Sequence, residues 1–391
     1  MCVVDKTLFF LMILAASIGV VFSYSLSTYI VWVSDYMPIH FLIRQFGAAV
    51  FGIFIIWGLS KLDPDIWLGR IGLILFFGFF ALMLAMPILP SSLVPMVNGA
   101  KRWIRLGGLN ISPVEFFKIG FVYFLAWSMT RKFYLPERAP TLADEIKIFA
   151  PYIAIFGIVA FLVVVLQNDL GQAVIMAATM IVMLVFANGS FKLFLSLLIS
   201  GFVFAIGFIA FSSYRLGKVL QWWASIQEHI LGILPAFFAN YLRIESTSLD
   251  EAYQATQALN AIDNGGIFGE GLGNSIYKLG FLSDVHTDFI LAGIIEELGF
   301  FGAFMVSAII LAIVFRIFRI ANRLDMPVFH LFCVGIGAQI AFQFLMNSLG
   351  ISGVMPIKGI TVPFISYGGS SLLAFSVAIG MVIMASKKAR L

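Results

Sequence analysis

Long apolar runs broken by short polar segments dominate this chain from Leu8 to Met384. Within a stretch such as Ile71 to Leu89 the apolar residues are continuous and do not alternate with polar ones, which marks helices crossing a bilayer and argues against the strands of a membrane barrel. Crossing about 30 Å of hydrocarbon takes about 20 helical residues. Segments of that length fall near 8–28, 39–60, 68–89, 112–130, 148–166, 171–188, 191–212, 287–315, 328–349 and 361–385. The pattern predicts an all-α polytopic membrane protein of about ten transmembrane helices. It forms one domain over residues 1–391, with a large outer-face loop at 213–286 between the seventh and eighth helices. The first run follows Lys6 as the core of a secretory leader would, but no A-x-A site comes after it, so a retained helix is expected.

Composition narrows the picture by exclusion. With 61% hydrophobic and 11% charged residues and a mean hydropathy of +1.03, no room remains for a sizeable water-soluble enzyme domain. The formal net charge of +4 is too small to mark a nucleic-acid surface. Cys2 precedes the first span and Cys333 lies inside a late one, so no disulfide is expected. With the N-terminus inside, one set of loops collects Lys6, Lys61, Arg70, Arg131, Lys132, Arg138, Lys147, Lys192, Arg316, Arg319, Arg323, Lys387, Lys388 and Arg390. That bias puts both termini on the cytoplasmic side.

Three outer regions, 90–111, 213–286 and 350–360, interrupt the hydropathy pattern and are expected to converge. Trp222, Trp223, Phe237, Phe238 and Tyr241 suit the long one to the membrane interface. It ends in a glycine-dense run from Gly265 to Gly273, which permits close backbone approach or positive-φ turns. No Gly-Lys-Ser/Thr follows, so a phosphate loop is excluded, and no internal repeat points to an inverted-repeat transporter.

Ionisable side chains at membrane depth are costly and mark candidate function. Here they are Arg44, Glu115, Lys118, Asp169, Asp288, Glu296 and Glu297. Glu115 and Lys118 sit three apart on one helical face and can pair, either to fix packing or to meet substrate; Pro113 suits the first turn of their helix, with Ser112 as N-cap. Asp169 stands before Gly171 as either a helix cap or a functional acid, and Glu296 and Glu297 call for polar partners. Asp288 is the best candidate base. Apolar surroundings at the membrane surface would raise its pKa toward working pH, a helix N-terminus would lower it, and an N-cap role is the equal alternative. The four histidines, His40, His229, His286 and His330, show no metal-ligand spacing. Lys101, Arg102 and Arg105 around Trp103 suit an anion such as a diphosphate, or an interface anchor; Lys358 adds another outer cation, and Gly368 to Ser371 suits either a site or close helix packing.

At these motifs the sequence resembles the SEDS family (shape, elongation, division and sporulation), closer to its division subgroup than to its elongation subgroup. The resemblance runs over essentially the whole chain, through GAKRWIRLGG, SPVEFFK, QNDLGQA, GEGLGNSIYKLGFL, HTDF, EELG and PIKGITVPFISYGGSS in the family's order. It implies a peptidoglycan glycosyltransferase of the bacterial inner membrane, at the septum, that uses lipid II and a lipid-diphosphate-linked glycan. A class B penicillin-binding transpeptidase and divisome membrane proteins are the implied partners. The Asp of HTDF, here Asp288, is implied as catalytic. Lys101, Arg102, Trp103, Glu115, Lys118, Asp169, His286, Lys358 and Ser366 map onto motifs implied to meet substrate. No multi-carboxylate metal cage is visible, and a divalent cation, Mg or Mn, stays open as an assisting ion. Two departures stand out: Ser283-Asp284 occupy the place of a usual Pro-Glu, and Asn168 replaces a usual Pro. The outer loop also looks longer than usual and lacks a familiar Asp-Pro. The rival readings are a lipid II flippase, lined by Arg44, Glu115, Lys118 and Glu297, and a non-catalytic division scaffold.

Overall fold

The structure, a computed structural model, describes residues 5–97, 99–106, 109–133, 141–211, 250–356 and 359–390, with scattered positions between 216 and 243. The helices are α1 (Lys6–Ser25), α2 (Thr28–Val33), α3 (His40–Lys61), α4 (Pro64–Ala85), α5 (Pro113–Phe133), α6 (Leu142–Phe161), α7 (Leu170–Phe186), α8 (Phe191–Ala210), α9 (Asp250–Gly265), α10 (Ile290–Ala321), α11 (Pro327–Ile351) and α12 (Gly369–Ser386). A small antiparallel hairpin, β1 (Ile104–Leu106) and β2 (Leu109–Ile111), precedes α5. Ten of the helices coincide with the ten apolar segments of the sequence, and α2 and α9 are added outside them. Seven are long and apolar enough to cross a membrane, and α7 and α8 are shorter apolar helices. In α5 the charges of Glu115, Lys118, Arg131 and Lys132 dilute the hydropathy.

The centre is formed by α11 and α12, buried over 67% and 72% of their spanning windows, whereas α3 and α4 are buried over only 22% and 28% and turn most of their surface to lipid. At the basic end, Arg316 pairs with Asp5 at 2.7 Å, Lys388 with Asp65, and Arg390 with Asp325. Asp5 also caps α1 through the Leu8 N–H. These contacts gather both termini and the loops of Asp65 and Asp325 at one end.

Two boundaries depart from the apolar pattern. The eighth span begins at Ile290, not 287, and runs past Arg316 and Arg319 to Ala321, because arginine stems can reach a membrane surface from within a helix. The last helix begins at Gly369, not 361. Residues 361–368 are apolar but not helical: Pro363 offers no amide donor and Phe364 takes a left-handed φ of 66°. This re-entrant segment reaches the outer end of the bundle, where the site lies. Part of the long outer loop, including Phe238 and Tyr241, falls outside the described residues; Trp222 donates to the Gly353 carbonyl at 2.7 Å, joining this loop to the 350–360 region.

Candidate active site

Asp288 sits in a tight turn just ahead of α10. The N–H groups of Thr287, Asp288 and Phe289 all point at the Asp284 carbonyl. Phe289 is the N-cap residue, without a side-chain cap bond, so the capping alternative for Asp288 does not hold. Its carboxylate accepts no hydrogen bond among the described residues, and Gly359 lies against it: a Cβ there would come within 2.9 Å of Oδ2. Burial raises the Asp288 pKa to about 7, the Asp284 and Asp169 charges push it the same way, and Arg102 opposes them. Burial outweighs the pull of the helix end. His286, buried between Phe41 and Tyr367, is depressed to about 4 by the same desolvation and is neutral at working pH.

A group that accepts a proton must first lose its own. Activity that depends on an ionised Asp288 should therefore rise with pH through about 7 and level off above it, with His286 silent in that range. Asp284→Asn removes a charge that disfavours ionisation, so the acid limb of a kcat/KM profile should move to lower pH. An unmoved limb would assign it to another group.

Three successive carbonyls of the HTDF turn are held by the 347–367 region. The His286 carbonyl accepts from the Tyr367 N–H at 2.9 Å, that of Thr287 from Ser366 Oγ at 2.6 Å, and that of Asp288 from Asn347 Nδ2 at 2.7 Å. From α3, Gln45 donates to the Ser366 carbonyl and accepts from the Gly368 N–H. Ser366 thus positions the turn through its backbone.

Arg102 and Asp169 face the same region from the other side. A π-helical turn at Leu162–Leu166 ends α6 and exposes the carbonyls of Gln167 and Asn168, which accept from Arg102 Nε at 2.7 Å and NH2 at 2.8 Å. Asn168 adopts a φ of 51°, closed to a proline, so this departure from the family motif shapes the turn. Asp169 caps α7 through the Gln172 N–H at 3.2 Å, and burial raises its pKa. Lys101 donates to the Pro87 and Leu89 carbonyls, and Trp103 is half-buried. Lys358 lies outside the described residues.

Behind this surface, Lys118 Nζ donates to Gln172 Oε1 at 2.7 Å and to Gln343 Oε1 at 3.1 Å, and pairs with Glu115 Oε2 at 2.9 Å. Gln172 returns a bond to Glu115 Oε1, and Gln343 Nε2 reaches Thr361 in the re-entrant segment. The Glu115 Oε2 contact is an ion pair outside hydrogen-bonding angles. At the far side, α10 breaks at Gly299, where φ is 67°. The freed carbonyls of Glu296 and Glu297 accept from the Glu270 and Gly271 N–H groups, an approach so close that a Cβ at Gly269 would sit 2.4 Å from the Glu297 carbonyl oxygen. The Glu296 carboxylate takes Ser275, Asn264 and the Ile276 and Tyr277 N–H groups, while Glu297 takes Lys278 and Ser25. Both acids are structural staples. Arg44, placed at membrane depth by the sequence, lies one turn into α3 and is exposed.

Over residues 5–391 the sequence matches the FtsW/RodA/SpoVE family, described as cell cycle proteins. The chain belongs to this family. It is 48% identical over 382 residues to the Helicobacter pylori protein named Probable peptidoglycan glycosyltransferase FtsW, covering 97% of each chain. It is 32% identical over 392 residues to Stage V sporulation protein E of Bacillus subtilis, covering 99% of this chain and 98% of that one. Rod shape determining protein RodA of Thermus thermophilus superposes with a TM-score of 0.64 at 22% identity, covering 99% and 98% of the two chains. A chain from a peptidoglycan synthase complex superposes with a TM-score of 0.72 at 22% identity and the same coverage. The FtsW/RodA/SpoVE fold is thereby shared.

Sequence reasoning about this FtsW/RodA/SpoVE chain missed Gln45, Gln172, Gln343 and Asn347, because it weighed only charged groups. The signal was present: an amide within an apolar span also needs a partner, though leaving it unpaired costs less than leaving a charge unpaired. Asp284 appeared only as a departure from the family motif, yet its charge helps raise the Asp288 pKa.

Proposed function

We propose that this chain is a peptidoglycan glycosyltransferase that polymerises lipid II, with Asp288 as general base. The observation that carries the reading is a carboxylate without a partner among the described residues, with a pKa of about 7, at the outer end of a membrane bundle where a lipid-linked sugar can approach. Asp288 takes the proton of the GlcNAc 4-hydroxyl while that oxygen bonds to the anomeric carbon of the lipid-diphosphate-linked glycan. The bond from that carbon to the diphosphate breaks on the opposite face, so the configuration inverts. One base suffices, because a diphosphate leaves without protonation by a second acid. Arg102, its guanidinium steadied by two carbonyls and keeping free donors, is the cation best suited to the departing diphosphate, with Lys101 and Lys358 as supporting charges. Among the described residues, no three His, Cys, Asp or Glu side chains cluster to hold a metal ion, so an assisting Mg or Mn would arrive with the diphosphate.

The protein acts in the inner membrane at the septum, both termini cytoplasmic, alongside a class B transpeptidase; a structural neighbour from a synthase complex supports that partnership. The flippase reading is disfavoured because Glu115 and Lys118, which would line its path, are closed off by Gln172 and Gln343. Purified protein with its transpeptidase should convert lipid II to glycan strands. Lipid II translocation without polymer would sink the transferase reading. Arg102→Gln should lower turnover and lipid-diphosphate binding while insertion is kept, and Arg102→Lys should rescue only in part, since lysine lacks the planar fork. Unchanged binding and turnover in both variants would remove Arg102 from the diphosphate site.

A further inference from the structure

We infer that Asn347 is a positioning residue that sets where the Asp288 carboxylate stands, an inference that rests on the transferase reading above. Asn347 is 3% exposed on α11, and its amide nitrogen spends both hydrogens on backbone carbonyls of two separate segments, Asp288 at 2.7 Å and Ile360 at 2.6 Å. The amide orientation is forced, because the reverse would set Oδ1 against two carbonyl oxygens. Oδ1 is consequently buried with no partner. An orphaned buried acceptor is unfavourable, and an apolar side chain here would avoid it, so the contribution of Asn347 is its pair of donors.

Those donors span the gap that matters for the base. Asp288 precedes α10, whose backbone ladder includes the Gly293 N–H to Phe289 carbonyl bond; the Asp288 carbonyl is taken by Asn347. Ile360 follows Gly359, the residue lying against Asp288 Oδ2. One amide therefore fixes the spacing between the base and the wall beside it. Ser366 and the Tyr367 N–H hold Thr287 and His286 but not Asp288 itself, so among the described residues the side-chain hydrogen bond to the Asp288 backbone comes from Asn347. Misplacing a base by about 1 Å is enough to cost on the order of 100-fold in rate.

The test uses the full chain with its transpeptidase in nanodiscs, with lipid II as substrate. Asn347→Leu keeps the branching of the side chain, though it is bulkier, and removes both donors. It should lower kcat by about 10- to 100-fold with little change in KM, and raise hydrogen exchange in residues 284–289 and 359–362 alone. Wild-type kcat and exchange in folded Asn347→Leu would overturn the inference. So would losses confined to thermal stability with turnover per folded molecule unchanged. Asp288→Asn is run alongside: if it polymerises normally the base assignment fails, while the exchange data still decide whether Asn347 holds the turn.

Discussion

Asp288→Asn is expected to reduce glycan polymerisation by about 100- to 10,000-fold, the usual contribution of a general base, with insertion and folding intact. Asparagine has nearly the same shape, and the carboxylate it replaces accepts no hydrogen bond among the described residues, so nothing structural is lost. The amide cannot accept a proton at neutral pH. The residual rate should also lose the acid limb near pH 7, because the group that titrates there is gone. Near-wild-type polymer from a correctly inserted Asp288→Asn protein would reject the assignment. His286 cannot substitute as a titrating group, since burial keeps it neutral down to about 4.

The second large effect lies in the buried network. Glu115 is 8% exposed and Lys118 only 1%, so removing one partner strands the other charge at a cost of roughly 3 to 5 kcal/mol. Glu115→Ala and Lys118→Ala should each lower thermal stability strongly, and the double variant should be less damaged than the sum of the two. Lys118→Ala should be worse than Glu115→Ala, because it also releases Gln172 and Gln343, and through Gln343 the Thr361 end of the re-entrant segment. Strictly additive losses in melting temperature, measured in one detergent, would mean that the two side chains act separately. Loss of activity is expected to follow loss of stability here, in contrast to Asp288→Asn.

The sequence by itself determined the membrane fold, because spans of about 20 apolar residues have only one way to satisfy their backbone in lipid. Ten segments became ten helices, and the Lys/Arg bias agreed with the end at which Asp5, Asp65 and Asp325 find their cationic partners. It also determined the Glu115–Lys118 pair and the Asp169 cap, since both are contacts within one turn, where chain geometry alone brings the groups together. Asp288 was legible only as a base or a cap in equal measure; the family motif favoured the base, and the structure removed the cap by placing Phe289 at the head of α10. What tertiary structure alone decided are contacts between residues far apart in the chain. Asn347 reaches Asp288 across 59 positions, Gln45 reaches Ser366 across 321, and Arg102 meets the turn that Asn168 opens. The residues 361–368, which the apolar pattern places inside the last span, became a re-entrant segment because helices α3 and α11 supply amides to the backbone groups that Pro363 and Phe364 leave outside a helix. Hydropathy measures how well a residue tolerates lipid, and it carries no information about which distant side chain will satisfy a carbonyl; that is settled only when the helices pack.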